Sequence, residues 1–165
     1  VYASTNNIYS LWLAKPEVLH EKEIILLDSD ILFDPLMIKI LQDAPYSNCL
    51  ALDGHKLGEE EIKVIVNEKN QITEISKTCS IDKAIGESIG IEKISNAYLS
   101  ALYTELEQMI VNEGLDNVFY ELAFERLSTR GHYFYPVDTS NYFSMELDTV
   151  EDFQDAINRI PKHLQ

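Results

Sequence analysis

A short apolar stretch near the start of the chain constrains the fold more than any other feature. Residues 24–27 are four consecutive aliphatic residues, a pattern typical of a strand that is buried on both faces. Three acids follow directly, Asp28, Asp30 and Asp34. Because burying an unpaired carboxylate is costly, we expect these acids to line a ligand-binding edge of a sheet rather than the core.

Helical and strand patterns alternate along the rest of the chain. Helices are predicted from Ser4 or Thr5, from Pro35, over 96–114 and 117–131, and from Thr149. Strands are predicted over 24–27, 48–53, 88–95 and 132–139, with a hairpin over 61–77. This order predicts one α/β domain over residues 1–165, with a mixed, mostly parallel sheet sandwiched by helices.

Composition excludes several classes of protein. The formal net charge of -15 disfavours a nucleic-acid-binding surface, and no apolar run approaches the length of a membrane span. Cys49 and Cys79 are expected to be free buried thiols. With no signal-peptide pattern at the start of the sequence, these features favour a cytoplasmic protein that binds neither nucleic acid nor membrane.

The acids after residue 27 have the spacing of a metal site. Asp28 and Asp30 are two residues apart, so in an extended chain both point to one side, and paired carboxylates suit Mg²⁺ or Mn²⁺. Asp148 lies between a second apolar strand end and a helix, so Asp30 and Asp148 could hold one cation together. The alternative is that all three acids cap helices or remain solvated in loops.

Four segments, taken in order, resemble a known family. They are STNNIYSLWLA (4–14), ILLDSDILFD (25–34), GESIGIEKIS (86–95) and ELDTVEDFQDA (146–156). Together they resemble the C-terminal two thirds of nucleotidyltransferases such as the CTP:phosphocholine, CTP:2-aminoethylphosphonate and CTP:inositol-1-phosphate cytidylyltransferases. The resemblance implies a nucleotide-diphospho-sugar transferase-like fold. It also implies a reaction in which the acceptor's phosphate or phosphonate attacks the α-phosphate of a nucleoside triphosphate and pyrophosphate leaves.

The resemblance also implies roles for individual residues. Asp30 and Asp148 match the metal aspartates, and Lys77 matches a lysine that contacts the acceptor phosphate. Residues near the nucleotide would be Asp28, Thr5, Asn6 and Asn7, and residues near the acceptor would be Glu87, Gly90, Tyr120 and Glu121. From the residues alone, an aromatic face beside Glu121 would suit an ammonium group. Structural roles stay open for these positions, including a helix N-cap at 5–7, a solvated lysine at 77 and core aromatics at 119–120.

One part of the family pattern is absent from the sequence. The glycine-rich loop that cradles the triphosphate has no counterpart among the six scattered glycines. We therefore expect a fold incomplete at its N-terminus, with a companion polypeptide segment or self-association covering an open strand edge. Two other functions stay open: a D-x-D glycosyltransferase-like enzyme and a non-catalytic interaction or regulatory domain of the same fold.

Overall fold

The computed structural model describes residues 4–165, so the first three residues of the expected domain lie outside it. The helices and strands in chain order are α1 (Asn7–Leu13), α2 (Lys15–Val18), β1 (Glu23–Leu27), β2 (Ile31–Phe33), α3 (Leu36–Asp43), β3 (Cys49–Asp53), β4 (Lys63–Val66), β5 (Ile72–Ser76), β6 (Gly86–Ser95), α4 (Asn96–Glu107), α5 (Glu121–Ser128), β7 (Tyr135–Asp138), β8 (Ser144–Glu146) and α6 (Val150–Arg159).

Strand β6 is the centre of the main sheet. It pairs antiparallel with β3 along one side, while β4 and β1 pair with its first and second halves along the other. Strand β5 extends the sheet beyond β4, and β7 pairs parallel with β3. Strands β2 and β8 form a separate antiparallel ribbon. Strand β2 follows directly after β1, and its first residue pairs with the last residue of β8. The ends of β1 and β8 therefore lie close to each other in space.

The mixed sheet packed by helices is confirmed, but the expected majority of parallel neighbours is wrong. Only β3 and β7 are parallel neighbours among the strand pairs of residues 4–165. Strands β1, β3, β4 and β7 do share one direction, as expected. They rarely touch each other because β6 runs the opposite way between them, and the β4–β5 hairpin adds a further antiparallel pair.

Each face of the sheet carries its own apolar core. Leu50 and Leu52 of β3 pack toward α1, α4 and α5, in the larger core. Cys49 and Ala51, on the opposite side of the same strand, pack against Met37 and the rest of α3. Alternate residues of a strand point to opposite faces, so β3 contributes to both cores and the sheet is sandwiched by helices.

Strand β1 is less buried than its sequence suggested. Ile24, Ile25 and Leu26 are half-buried, and Leu27 is 40% exposed. The expectation of burial on both faces is therefore wrong for these residues. Among residues 4–165 β1 pairs with β6 alone, so one of its edges has no neighbouring strand.

Local sequence signals predicted one of the two helix caps correctly. Thr149 caps α6 as expected, in a capping box with Asp152. Helix α1 is capped by Asn6, whose side chain accepts from the backbone N–H of Asn7 at 2.7 Å, so the expected cap at Ser4 or Thr5 is wrong.

Cys49 and Cys79 are free and buried, as expected. Within residues 4–165 the helices are all too short or too polar to cross a bilayer.

Candidate active site

Sequence-distant polar residues gather in one cleft at the ends of β1 and β8. The cleft has a volume of about 240 Å³. We call it the acidic cleft. It is lined by Asn6, Asn7, Asp28, Ser29, Asp30, Ile62, Lys77, Phe119, Glu121, Glu146 and Asp148. Residues expected from three separate motifs, at 6–7, 28–30 and 148, therefore share one cavity.

The ribbon of β2 and β8 brings Asp30 and Asp148 to this cleft. Ile31 pairs with Glu146, and the backbone N–H of Leu147 donates to the carbonyl oxygen of Asp30 at 2.8 Å. Glu146, which sequence reasoning missed, lines the same cleft between them. Burial raises the pKa of Glu146, and the nearby charges of Asp148 and Asp30 raise it further. These three carboxylates thus make the cleft strongly negative.

This donor set fits a hard divalent cation. In residues 4–165 no three acidic, histidine or cysteine side chains converge on one point as a complete metal site. Mg²⁺ commonly takes only one or two protein carboxylates and completes its shell with water and substrate phosphates. Carboxylate oxygens from Asp30 and Asp148 would suit such a partial site, and the binding of Mg²⁺ or Mn²⁺ there stays a prediction.

Asp28 occupies a more enclosed position behind these acids. Its backbone N–H donates to the carbonyl oxygen of Gly90 at 2.9 Å, and its Oδ1 accepts from the Tyr120 hydroxyl at 3.2 Å. Burial raises the pKa of Asp28 to about 6; the Tyr120 bond opposes this, and the charge of Asp30 adds to it. Gly90 supports the wall of the cleft through Asp28; it lines none of the cavities described here.

Tyr120 lies in the core behind the cleft. Its hydroxyl is also 3.3 Å from Oε1 of Glu92, a fully buried acid on β6 that sequence reasoning missed. The ring packs edge-on against Phe124, with centroids 5.4 Å apart. Burial raises the pKa of Glu92 well above its ordinary value. The Tyr120 ring, which was expected to contact a ligand, is therefore buried, and of its side chain only the hydroxyl reaches a residue of the cleft, Asp28.

Helix α1 is fastened to this region by its first residues. Oδ1 of Asn7 accepts from the backbone N–H of Tyr120 at 3.0 Å, and Asn6 N–H donates to the carbonyl oxygen of Asp116 at 3.0 Å. Both asparagines line the acidic cleft, whereas Thr5 directly precedes them without lining it. The helix-capping alternative is thus correct for Asn6, and it coexists with a position in the cleft.

Glu87 lies in a neighbouring cavity. That cavity, of about 310 Å³, also contains Asp53, His55 and Arg159, of which sequence reasoning identified none. His55 Nε2 is 3.5 Å from Glu87 Oε2. Burial raises the pKa of Glu87 to about 7, and His55 opposes this. Glu87 also lines a further cavity together with Lys77, Glu146 and Asp148, so it adjoins the acidic cleft. Glu87 and Glu121, both expected beside the acceptor, do not line a common cavity.

Comparison with known proteins identifies the fold of this chain through solved structures. The sequence matches no family model, and no curated protein is significantly similar to it. The inositol-1-phosphate CTP transferase from T. maritima superposes with a TM-score of 0.74 at 19% identity, over 98% of this chain and 65% of that chain. CTP:phosphocholine cytidylyltransferase from Streptococcus pneumoniae gives 0.74 at 16%, over 95% and 64%.

A third solved structure extends this group. A putative glucose-1-phosphate thymidylyltransferase from Bacillus anthracis gives a TM-score of 0.68 at 14% identity, over 96% of this chain and 63% of that chain. The chain thus spans a little less than two thirds of the length of these structures. The resemblance inferred from the motifs is confirmed at the level of the fold: the chain has part of a nucleotidyltransferase fold.

Proposed function

We propose that this protein takes part in metal-dependent nucleotidyl transfer from a nucleoside triphosphate to a small phosphorylated or phosphonylated alcohol or amine, with release of pyrophosphate. CTP is the proposed nucleotide, because two of the similar structures are of an inositol-1-phosphate CTP transferase and a CTP:phosphocholine cytidylyltransferase. The proposed compartment is the cytoplasm, where nucleoside triphosphates are available.

One observation carries this proposal: Asp30, Asp148 and Lys77 line a single cleft of a nucleotidyltransferase fold. Two polyanions must approach each other in the reaction, so positive charge and positioning are the main requirements. Mg²⁺ or Mn²⁺ on the two aspartates would neutralise charge on the transferred phosphate. Lys77 is the cation that the chain itself contributes to the cleft.

The remaining cleft residues have positioning roles in this proposal. Asn6 and Asn7 offer side-chain amide groups at the start of α1. The Asn6 backbone is held by its N–H bond to Asp116, and the Asn7 side chain is held through its Oδ1, which accepts from the Tyr120 N–H. Fixed amides can orient a substrate without reorganising during the reaction. Asp28, held by the Tyr120 hydroxyl, shapes the wall behind the metal aspartates.

The test is an assay of the full-length gene product. It measures pyrophosphate release from CTP with Mg²⁺ and phosphocholine, 2-aminoethylphosphonate, inositol 1-phosphate or glucose 1-phosphate as acceptors. We expect release with at least one acceptor, and its loss in the Asp30→Asn variant. Transfer of sugar from a UDP-sugar without pyrophosphate release would instead support a glycosyltransferase, and no activity with either donor would favour a binding module.

We further propose that the free edge of β1 is covered by a companion polypeptide segment or by a second copy. The backbone groups on that edge have no strand partner among residues 4–165, and Leu27 is exposed beside it. Unpaired strand edges are templates for pairing. Light scattering of the 165-residue chain alone should show self-association; a stable monomer with a cooperative melting transition would contradict this.

A further inference from the structure

A fully buried acid lies beneath the acidic cleft, in the second half of β6. Glu92 is 0% exposed, and its neighbours across the two adjoining strands are Leu26 of β1 and Leu50 of β3. An acid at such a position costs free energy unless it is neutral or paired. Positions where a sequence breaks the core pattern are commonly functional or strained, so packing alone does not account for Glu92.

The charged groups that act on Glu92 are acidic. They are Asp28, directly after β1, and Glu121, at the start of α5. Burial raises the pKa of Glu92 most strongly, the charges of Asp28 and Glu121 raise it further, and the bond from Tyr120 opposes them. With no cation acting on it from residues 4–165, Glu92 is a neutral carboxylic acid at neutral pH.

The hydrogen bonds around Tyr120 lead independently to the same assignment. The Tyr120 hydroxyl oxygen lies 3.2 Å from Asp28 Oδ1 and 3.3 Å from Glu92 Oε1. A phenol has one proton to donate, so it satisfies one of the two carboxyl groups and accepts from the other. Asp28 lines the acidic cleft, whereas Glu92 is enclosed in the core. The additional proton therefore belongs on Oε1 of Glu92, which donates to Tyr120, and Tyr120 in turn donates to Asp28.

The second carboxyl oxygen of Glu92 agrees with this direction of donation. Oε2 has no hydrogen-bond partner within the part of the chain that the structure describes. In an ionised carboxylate, this atom would be a charged oxygen left unpaired in the core, at a high free-energy cost. In a protonated acid, the same atom is an uncharged carbonyl oxygen, for which the cost is smaller.

Asp28 is the member of this series that reaches the cleft. It precedes Asp30 by two residues, and both line the cleft. Without its bond from Tyr120, the Asp28 side chain could turn away from the wall and toward Asp30, which carries the same charge. A series of hydrogen bonds holds such a group more firmly than a single bond, because each bond polarises the next. The proton on Glu92 thus acts on the cleft from within the core.

We propose that Glu92 is a positioning residue, a buried neutral acid that holds the Asp28 carboxylate in the wall of the acidic cleft through the Tyr120 hydroxyl. Its effect on turnover rests on the proposed function. The series of Glu92, Tyr120 and Asp28 is itself observable without nucleotide, acceptor or metal.

The first experiment measures the protonation of Glu92 in the full-length protein at neutral pH. The infrared spectrum of Glu92→Gln is subtracted from that of the unmodified protein, and we expect the difference to contain the band of a protonated carboxyl group. Glu105→Gln is the matched control, because Glu105 is also buried but is paired with Arg126 and Arg130. Its difference spectrum should contain an ionised carboxylate band. An ionised band for Glu92 would overturn the inference.

The second experiment compares replacements that keep or remove the donor. Glu92→Gln retains an N–H donor for Tyr120, whereas Glu92→Met has a similar size and no donor. The ¹³C chemical shift of the Asp28 carboxyl group should be nearly unchanged in Glu92→Gln and should move in Glu92→Met and in Tyr120→Phe. Combining the last two should add little, because both break the same series. Equal Asp28 shifts in the glutamine and methionine variants would contradict the proposed series.

Stability and turnover separate positioning from a merely structural role. Glu92→Met should melt at the same temperature or higher, because an apolar residue replaces a buried polar group. In the pyrophosphate assay it should nevertheless lose roughly tenfold or more in turnover, as should Tyr120→Phe, whereas Glu92→Gln should keep most of its activity. Equal turnover of Glu92→Gln and Glu92→Met in an active enzyme would overturn the positioning role.

The proposed function fails in a different way. Were it wrong, the unmodified protein would release no pyrophosphate, yet the infrared band of Glu92 and the Asp28 shifts would still decide the inference. Were only the inference wrong, the unmodified protein would release pyrophosphate, and Glu92 would give an ionised band or its two variants would behave alike.

Discussion

At the scale of single residues, Gly90 shows how the absence of a side chain at one position leaves room for a residue of the cleft. Its φ of 71° lies in the left-handed region, and a Cβ there would fall within 2.9 Å of the Asp28 Cβ. Only glycine adopts this conformation at low cost while allowing such a close approach. The resemblance placed Gly90 beside the acceptor, but the structure gives it the role of seating Asp28.

Gly90→Ala should therefore lower the free energy of unfolding by roughly 2–4 kcal/mol, from backbone strain together with steric overlap. Gly114→Ala is the control, because Gly114 also has a φ of 71° but no atom lies within 4 Å of the added Cβ. The free energy of unfolding of Gly114→Ala should fall by only about 1 kcal/mol. Urea unfolding of both variants measures the difference, and equal losses would show that contact with Asp28 is unimportant.

Replacing either Asp30 or Asp148 should reduce activity without reducing stability. In the full-length protein, Asp30→Asn or Asp148→Asn should reduce turnover on the order of 10²- to 10³-fold. Stability should stay constant or rise slightly, because the acids around an empty cation site repel one another. Asp43→Asn, at an exposed acid paired with Lys39 on α3, is the control and should retain activity. A large drop in the melting temperature of Asp30→Asn would contradict the prediction that this acid serves activity rather than stability.

At the scale of secondary-structure elements, α6 depends unusually on its first turn. It buries Ala156, while its large apolar side chains Val150, Phe153 and Ile157 remain exposed. Helices with little packed surface depend more on capping for their stability. The Thr149–Asp152 capping box, with bonds of 2.9 and 3.1 Å to the two backbone N–H groups, therefore fixes both the helix and the neighbouring Asp148.

Thr149→Ala should weaken α6 by about 1 kcal/mol and also reduce turnover through the displacement of Asp148. Hydrogen exchange of the amides in 149–153 should quicken severalfold, while α4 remains protected. Thr104→Ala, at an exposed position inside α4, removes a threonine hydroxyl without touching a cap and should leave both readouts unchanged. Equal protection of α6 in the two variants would count against the capping argument.

Most of the longer elements could be predicted from sequence. Periodicity and glycine caps identified α4 and α5, and Gly114 and Gly131 both have left-handed φ values. Strands β2 and β8 have three residues each, too few for a pattern to appear. For the same reason Glu146 was missed, although it lies two residues before Asp148. Strand order is set by long-range pairing, so the antiparallel neighbours of β6 could not be read from local sequence.

At the scale of the whole molecule, buried acids make stability dependent on pH. Burial raises the pKa of Glu87 and Glu121 to about 7 and that of Asp28 to about 6. Each folded-state pKa exceeds the unfolded value, so the stabilising contribution is fully present below the unfolded pKa, which is 3.8 for Asp28 and 4.5 for the two glutamates. It is lost as pH rises through about 7, because the folded state then releases protons it had held more tightly.

The melting temperature, measured with a chelator present, should therefore fall between pH 5 and pH 8. Glu121→Gln should flatten that decline and raise stability at pH 8 by up to roughly 3 kcal/mol, since the amide carries no charge at any pH. Glu74→Gln, at an exposed acid on β5, should leave the profile unchanged. A melting temperature that rises over this range would contradict the assigned directions.

The central position of β6 also determines the order in which the chain can fold. Strands β1 and β3 are synthesised before β6, their antiparallel partner, which begins only at residue 86. Until then, the β4–β5 hairpin is the local pairing that can form. Loop closure over long separations slows folding, so a ribosome-bound chain that has not yet reached Ser95, the end of β6, would hold unpaired apolar strands that attract chaperones. Completion of β6 is thus the event that converts separate strands into a protected sheet.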